Sequence, residues 1–389
     1  MNQHFDVVIA GAGAAGCAAA IALLQQMPQL SVLLLERDNG TPPQFRIGET
    51  LPPQATVLLQ QLGLLESFGA RDDMVALGTR AIWGAAEVNE NPFLYSFYGH
   101  GWHLDRVSFD GWLLQQAERT GAVVIKGAVM AGTPEFGQGW HLTVLQDSAE
   151  PLTIAASVVV DASGRGAAFC RNLGVRVEKL DKLVGIFRFY QVDAADEIDV
   201  DHAHTCNTGS GVDSFTLVES CADGWWYSAC LPQGRRVAAL VTDSDIARCS
   251  NLLDEAGWCK ALNCTGHTQK RLIHARPLTP LQIKPAHSQR LDRFCGRGWY
   301  AAGDAATVFD PLSSLGIFKA LRHGLLVSYA ICDDLQGKAG ARQKYQHVLS
   351  SEFRYYLQTR EQYYQLEQRF ADAPFWQRRH EKVLAQMPA

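Results

Sequence analysis

The chain has 389 residues, with 35 basic and 40 acidic side chains and a formal net charge of −5. At roughly 150 residues per domain it exceeds a single minimal module, and 47% hydrophobic against 19% charged residues supplies a large buried core. So mild an acidic balance gives no electrostatic grip on nucleic-acid phosphates or an anionic membrane, which leaves a small molecule or a protein as partner.

In chain order, Phe5 to Ala10 predicts a short buried strand, Gly11 to Gly16 a tight loop, Cys17 to Gln26 an alanine-rich helix and Ser31 to Leu35 a second strand. Val7 to Leu24 carries no charge over 18 residues, but alanine and glycine dominate it, Asp6 touches its start and three glycines break it. A strand turning into a helix is therefore expected there, rather than a membrane or signal segment. In the βαβ unit, Gly11 permits the sharp turn, Gly13 lets a pyrophosphate approach the backbone and Gly16 lets helix and strand pack closely. The phosphates would lie on the helix N-terminus. Glu36 stands 20 residues after Gly16, where a carboxylate accepts both ribose hydroxyls and repels a 2′-phosphate, so the expected nucleotide is NAD-like or FAD.

Further on, Leu183 to Leu240 shows strand-like alternation, as does the aromatic-rich stretch Thr79 to Trp102, which together predict a second, mostly antiparallel sheet. Ser157 to Val160 runs into Asp161-Ala162-Ser163-Gly164, and Trp299 to Ala302 runs into Gly303-Asp304. These two apolar strands, each ending on an acid, fit one nucleotide fold assembled from separated segments. After Asp310-Pro311-Leu312-Ser313-Ser314-Leu315-Gly316-Ile317 the pattern turns helical through about Cys332, and the chain beyond Gly340 reads as a helical appendage. The ten cysteines, Cys206 among them, show no CxxC pair or zinc spacing, so reduced thiols, no metal and a cytoplasmic location are expected.

Taken together, Gly11-Ala-Gly-Ala-Ala-Gly16 with Glu36, Arg46-Ile-Gly48-Glu49-Thr-Leu-Pro-Pro, Leu104-Asp105-Arg106-Val-Ser-Phe109-Asp110, Asp161-Ala-Ser-Gly164 and Gly303-Asp304 resemble the FAD-dependent monooxygenase superfamily. That superfamily includes aromatic hydroxylases, tryptophan halogenases and geranylgeranyl reductase-like enzymes. The resemblance implies an α/β fold with FAD as cofactor. A discontinuous Rossmann-like FAD-binding domain would take residues 1–78, 103–175 and 286–335, a mostly antiparallel substrate domain 79–102 and 176–285, and a helical C-terminal region 336–389. Carried onto this chain, Glu36 would hold the adenine ribose, Arg106 would sit near the phosphate or ribityl side, and Asp304 would bind the ribityl chain. Gly11, Gly13, Ala15, Gly16, Arg37, Arg46, Gly316 and Ile317 complete the expected cofactor set. A helix starting near Gly316 would aim its N–H groups at the flavin N1 and C2 carbonyl, where charge accumulates on reduction.

Three departures point away from halogenation. No lysine precedes Lys126, Ser313 and Leu315 replace the glutamate and threonine of the halogenase PLEST-G-I motif, and the WxWxIP signature degenerates to Tyr227-Ser-Ala229-Cys-Leu231-Pro232. Asp-Pro-Leu-Ser-Ser, Gly224-Trp-Trp-Tyr227 and Pro374-Phe-Trp-Gln-Arg-Arg379 instead resemble flavoproteins required for cysteine tryptophylquinone biogenesis in lysine and glycine oxidases. This resemblance implies a monooxygenase that hydroxylates a tryptophan of a partner amine or amino-acid oxidase precursor, through a flavin C4a-hydroperoxide. Molecular oxygen and an external reductant, NAD(P)H or a flavin reductase, would be co-substrates, since no second GxGxxG unit is present.

Asp310, Glu49 and His103 are the candidate catalytic residues, each with a structural hydrogen-bonding role as its alternative. Phe93, Tyr95 and Phe97 are expected on one face of a strand, near Trp83, Tyr98 and Trp102, with Trp225 and Tyr227 repeating the pattern; most of these aromatics should form a core under the second sheet, and one or two should line a pocket. The aromatic and arginine-rich tail from Arg354 through Lys382 fits either a protein interface or a helix covering the FAD domain. Two other functions stay open: a monooxygenase of a free indole- or phenol-like metabolite, and a non-catalytic FAD-bearing assembly factor.

Overall fold

The computed structural model describes residues 3–37, 45–126, 128–135, 139–146, 150–192 and 213–381. The expectations that fall on Cys206 and Lys382 lie outside them. The central path of an eight-stranded sheet runs in the order Cys295–Gly296, Trp299–Ala301, Leu152–Asp161, Gln3–Ala10, Val32–Glu36 and Val123–Lys126, parallel except for its first hairpin, and Gly139–Gln146 with Ala128–Glu135 joins Leu152–Asp161 as an antiparallel branch. Register decides what this sheet presents: Ala10 lies opposite both Leu35 and Asp161, and Asp161 lies opposite Ala301. The loops after three strands far apart in sequence therefore emerge side by side at the carboxyl edge, where ligands bind in open α/β sheets.

Two helices cover one face of this sheet. Ala14–Gln26 is built of small apolar residues and packs against Gly316–Leu335. At their crossing, a Cβ on Gly324 would stand 2.5 Å from the Ala18 Cβ and 2.7 Å from the Ala15 carbonyl oxygen. Only glycine permits so close an approach, which fixes the direction in which the second helix meets the cleft.

The second sheet runs Arg276–Pro277, Leu183–Gln191, Arg235–Asp243, Gly224–Leu231, Phe215–Cys221, Gly78–Ile82 and Asn89–Pro92, and every pairing in it is antiparallel except that of Phe215–Cys221 with Gly78–Ile82. Its last strand ends at Pro92, and Phe93–Tyr95 is a 3-10 turn. The expected strand face of Phe93, Tyr95 and Phe97 is not formed, because the proline breaks the ladder. Tyr95 is 84% exposed and Phe97 is fully exposed.

The tail forms the helix Ala341–Leu366 and, after a turn, Pro374–His380. Tyr356, Tyr364, Phe375 and Trp376 are buried. Trp376 donates its indole N–H to the Cys221 carbonyl at 2.8 Å and packs on Trp83 and Tyr364. Arg378 and Arg379 bind Asp243, and Arg360 binds Asp181. These tail residues close one side of the second sheet, whereas Tyr355 and Tyr363 remain exposed. Among the described residues no disulfide joins any cysteine, and no helix is long and apolar enough to cross a membrane.

Candidate functional site

An elongated cleft of about 460 Å³ runs along the carboxyl edge of the central sheet, from Gly13, Ala14 and Ala15 past Arg46 to Glu49 and Arg106, to Asp304 and then Asp310 through Ile317. Its nucleotide end is shaped by three glycines with three different constraints. Gly11 has a φ of +109°, and a Cβ there would lie 2.3 Å from the Ala162 carbonyl oxygen; a Cβ on Gly16 would lie 1.9 Å from the Gly11 carbonyl oxygen. Gly13 differs, since a Cβ there meets no atom within 4 Å and the chain itself does not require a glycine. Gly13 also caps the helix Ala14–Gln26 without a side-chain hydrogen bond, and no acidic residue sits in the first turn, so the N–H groups at this end face the cleft side of the loop. These are the features a dinucleotide pyrophosphate needs.

Glu36 closes this end. Its Oε2 accepts the Ala12 N–H at 2.7 Å, so the carboxylate braces the loop it was expected to serve. Arg37 is exposed just beyond it. Asp161 is wholly buried and accepts bonds from Ser163 N, Ser163 Oγ and Cys170 N, which makes it a brace for its turn.

At the middle of the cleft Arg106 donates to the Gly48 carbonyl at 2.7 Å and pairs with Asp110, which also takes Arg46 at 2.6 Å. Both guanidiniums are thereby held along the cleft wall. Asp304 receives Lys319 Nζ at 2.8 Å. Desolvation would raise the Asp304 carboxyl, but the Lys319 ammonium, with Arg165 and His323 farther off, outweighs it and keeps the acid below its ordinary value. An ionised acceptor at this position fits a polyol chain.

The far end is formed by Asp310–Ile317. Asp310 is 1% exposed, accepts the Leu312 N–H at 2.9 Å and the Tyr364 hydroxyl at 2.8 Å, and so caps the turn Pro311–Ser313. Burial raises its carboxyl. Ser314 then takes a φ of +51°, and the helix Gly316–Leu335 starts with no side-chain cap and with open space around Gly316. Its first N–H groups are free to polarise a ring edge.

Glu49 is also 1% exposed; its Oε2 accepts from the Tyr227 hydroxyl at 3.3 Å, and its Oε1 has no hydrogen-bond partner among the described residues. Burial pushes its carboxyl up to about 7, against the lowering effect of the backbone N–H groups at Gly48 and Glu49. His103 is fully buried and lines neither this cleft nor the cavity described next. Its Nε2 donates to the Ser214 carbonyl at 3.1 Å and Nδ1 contacts Thr50 Oγ1, while burial lowers the imidazole to about 4, so the ring stays neutral and braces Thr50.

A second cavity, of about 1270 Å³, opens between the second sheet and the helix Ala341–Leu366, with Arg80, Trp83, Thr216, Tyr355 and Tyr363 among its lining residues. It shares Phe309, Ser313, Ser314, Leu315 and Lys319 with the first cleft. Thr50, on the cleft side, reaches Thr216, on the cavity side, at 3.3 Å. The site is thus a long nucleotide cleft and a broad chamber with one common wall. Lys319 and Thr50 escaped the sequence reading; a lone lysine on a buried helix face, three residues after Gly316, was the available signal for the first.

The cleft fits FAD: the open loop at Gly13, the two arginines, the ionised Asp304 and the uncapped helix at Gly316 follow one another at its successive parts. Comparison with known proteins agrees. Residues 4–346 match the family described as FAD binding domain. The putative FAD-dependent oxidoreductase LodB of Marinomonas mediterranea is 30% identical over 380 residues, 97% of each chain. Among solved structures, the myxobacterial chondrochloren halogenase CndH superposes with a TM-score of 0.86 at 22% identity, covering 98% of this chain and 87% of its own. The peptidyl tryptophan dihydroxylase QhpG, essential for tryptophylquinone cofactor biogenesis, gives 0.73 at 24% identity over 99% and 80%. The chain therefore belongs to the FAD binding domain family and is an FAD-dependent oxidoreductase of the monooxygenase and halogenase-like superfamily.

Proposed function

We propose that this enzyme is a monooxygenase that hydroxylates a tryptophan side chain of a partner oxidase precursor during tryptophylquinone biogenesis. The observation that carries the reading is the chamber of about 1270 Å³ that opens at the surface and meets the flavin cleft along Phe309, Ser313, Ser314, Leu315 and Lys319. It exceeds what a free indole needs and admits a side chain still attached to its polypeptide. The similarity to QhpG, a peptidyl tryptophan dihydroxylase, supports the same substrate class. Ser313 in the common wall puts a hydroxyl where the halogenase motif carries a carboxylate, which favours oxygen transfer over halide chemistry.

Bound FAD supplies activated oxygen after reduction by an external donor. The chain's own residues place and dry the reaction. Gly13, Arg106 and Asp304 would hold the nucleotide and ribityl parts, and the helix start at Gly316 would stabilise charge on the ring. Phe309 and Leu315 exclude water from the common wall. Glu49, kept protonated up to about pH 7 and oriented by Tyr227, holds a proton at the carboxyl that faces the cleft.

Coexpression with a tryptophylquinone-type oxidase precursor, followed by peptide mass analysis, tests the proposal. Oxygen additions on the precursor tryptophan that depend on this chain are expected. An unmodified tryptophan in the presence of loaded, reducible flavin refutes it, and faster flavin reoxidation with a free indole or phenol would transfer the activity to a small aromatic substrate.

A further inference from the structure

Beneath the Gly303-Asp304 turn lies a group of buried and half-buried ionisable side chains that the proposed reaction does not use. His323, on the helix Gly316–Leu335, is fully buried. Its Nδ1 accepts the Gly303 N–H at 3.2 Å, and its Nε2 lies 2.6 Å from Glu352 Oε2 on the helix Ala341–Leu366. An Nδ1 that accepts requires the proton on Nε2, so the ring donates to the Glu352 carboxylate. Arg322 pairs with the same carboxylate. Lys319, four residues before His323 and so on the same helix face, holds Asp304.

Each member of the Gly-Asp pair is therefore pinned from one helix face, Gly303 by His323 and Asp304 by Lys319. The pinned conformation is an unusual one. Gly303 has a φ of +63°, and a Cβ there would lie 2.6 Å from the Ala15 Cβ in the nucleotide loop. Arg322 and Glu352 also line the larger chamber, so the same hydrogen bonds reach from its wall to the turn.

We propose that His323 is a positioning residue: with Glu352 it latches the Gly303-Asp304 turn in its cofactor-binding conformation and ties that turn to the wall of the substrate chamber. This rests on reading Asp304 as a ligand of the cofactor. Protonation would turn Nδ1 from acceptor to donor and release Gly303. The charged groups that face the ring are Glu352 and Arg322 at its outer side and Lys319 and Asp304 at its inner side.

The test is titration of the apoprotein with FAD, read by flavin fluorescence from pH 5 to 8, for the wild type, H323N, H323Q and E352Q, with melting temperatures alongside. An asparagine amide oxygen reaches the Nδ1 position and keeps the Gly303 bond, whereas glutamine reaches the Nε2 position and does not. H323Q is expected to weaken FAD about tenfold or more, and H323N to stay within about threefold of wild type. E352Q, which removes the charge favouring the imidazolium, is expected to move the acid limb of FAD affinity to lower pH. Wild-type affinity in H323Q, equal loss in H323N and H323Q, or an unmoved acid limb in E352Q overturns the latch. Should H323Q unfold, the E352Q limb decides alone. A wild-type chain that binds no FAD overturns the cofactor reading and the latch with it, whereas normal wild-type binding with an unaffected H323Q overturns the latch only.

Discussion

Replacing Glu49 by glutamine keeps the shape of the side chain and an oxygen for the Tyr227 hydroxyl, and removes only the titration. The buried carboxyl is raised from 4.5 to about 7. At about 1.36 kcal/mol per pH unit, the fold disfavours its ionised form by about 3 kcal/mol. The sign follows from the raised value. Below pH 4.5 folded and unfolded chains both carry the proton and the site costs nothing. Between 4.5 and 7 the unfolded chain releases it and the folded chain does not, so stability falls as pH rises. Above 7 the loss is complete. Glutamine has no such dependence, so the stability of E49Q relative to wild type should grow by up to about 3 kcal/mol between pH 5 and pH 8. With an unfolding entropy of about 2.1 cal/mol/K per residue, or about 0.8 kcal/mol/K for this chain, the melting temperatures should diverge by about 4 °C. Melting of both apoproteins across that range measures it. Parallel pH curves would show that Glu49 is ionised in the fold and would remove it as a proton-holding group.

Gly13 and Gly16 should separate binding from folding. G16A, whose Cβ would collide with the Gly11 carbonyl at 1.9 Å, should lose both thermal stability and FAD, whereas G13A should melt like wild type and still bind FAD at least about tenfold more weakly. K319M removes the cation that keeps Asp304 ionised; its FAD affinity should be lower at neutral pH and should start to fall at a higher pH on acidification than in wild type, as fluorescence titration would record. W376A empties a fully buried site on the second sheet and breaks the bond to Cys221, which should cost about 3–5 kcal/mol in denaturant melts while leaving the spectrum of bound flavin unchanged.

What could be read in the sequence is what depends on short spacing. Gly11, Gly13, Gly16 and Glu36 fall within one βαβ unit; Asp161 ends its strand, Asp304 lies in the 3-10 turn just after Trp299–Ala301, and the strand register brings these segments to one edge of one sheet. Side-chain roles were less accessible, because an acid at a strand end serves a ligand or its own turn with the same spacing. Asp161 and Asp310 turn their oxygens to backbone N–H groups and a tyrosine, while Asp304 turns to Lys319 and the cleft. The aromatic stretch misled for a local reason: its alternation fits a strand, yet Pro92 stops the ladder one residue before Phe93.

Long-range partners account for the rest. The tail's composition suits an interface and a packed cover equally, and only the partners distinguish them: Tyr364 reaches Asp310, Tyr356 accepts the Asp310 N–H, and Glu352 reaches His323. These contacts join residues 29 to 54 positions apart and place the C-terminal helix behind both the Gly-Asp turn and the Asp310 turn. The appendage is thus part of the site's construction, since the two turns that line the cleft are held from the same helix that walls the chamber. It follows that truncation before Ala341 should abolish flavin binding as well as any partner contact, an outcome that a separable docking module would not produce.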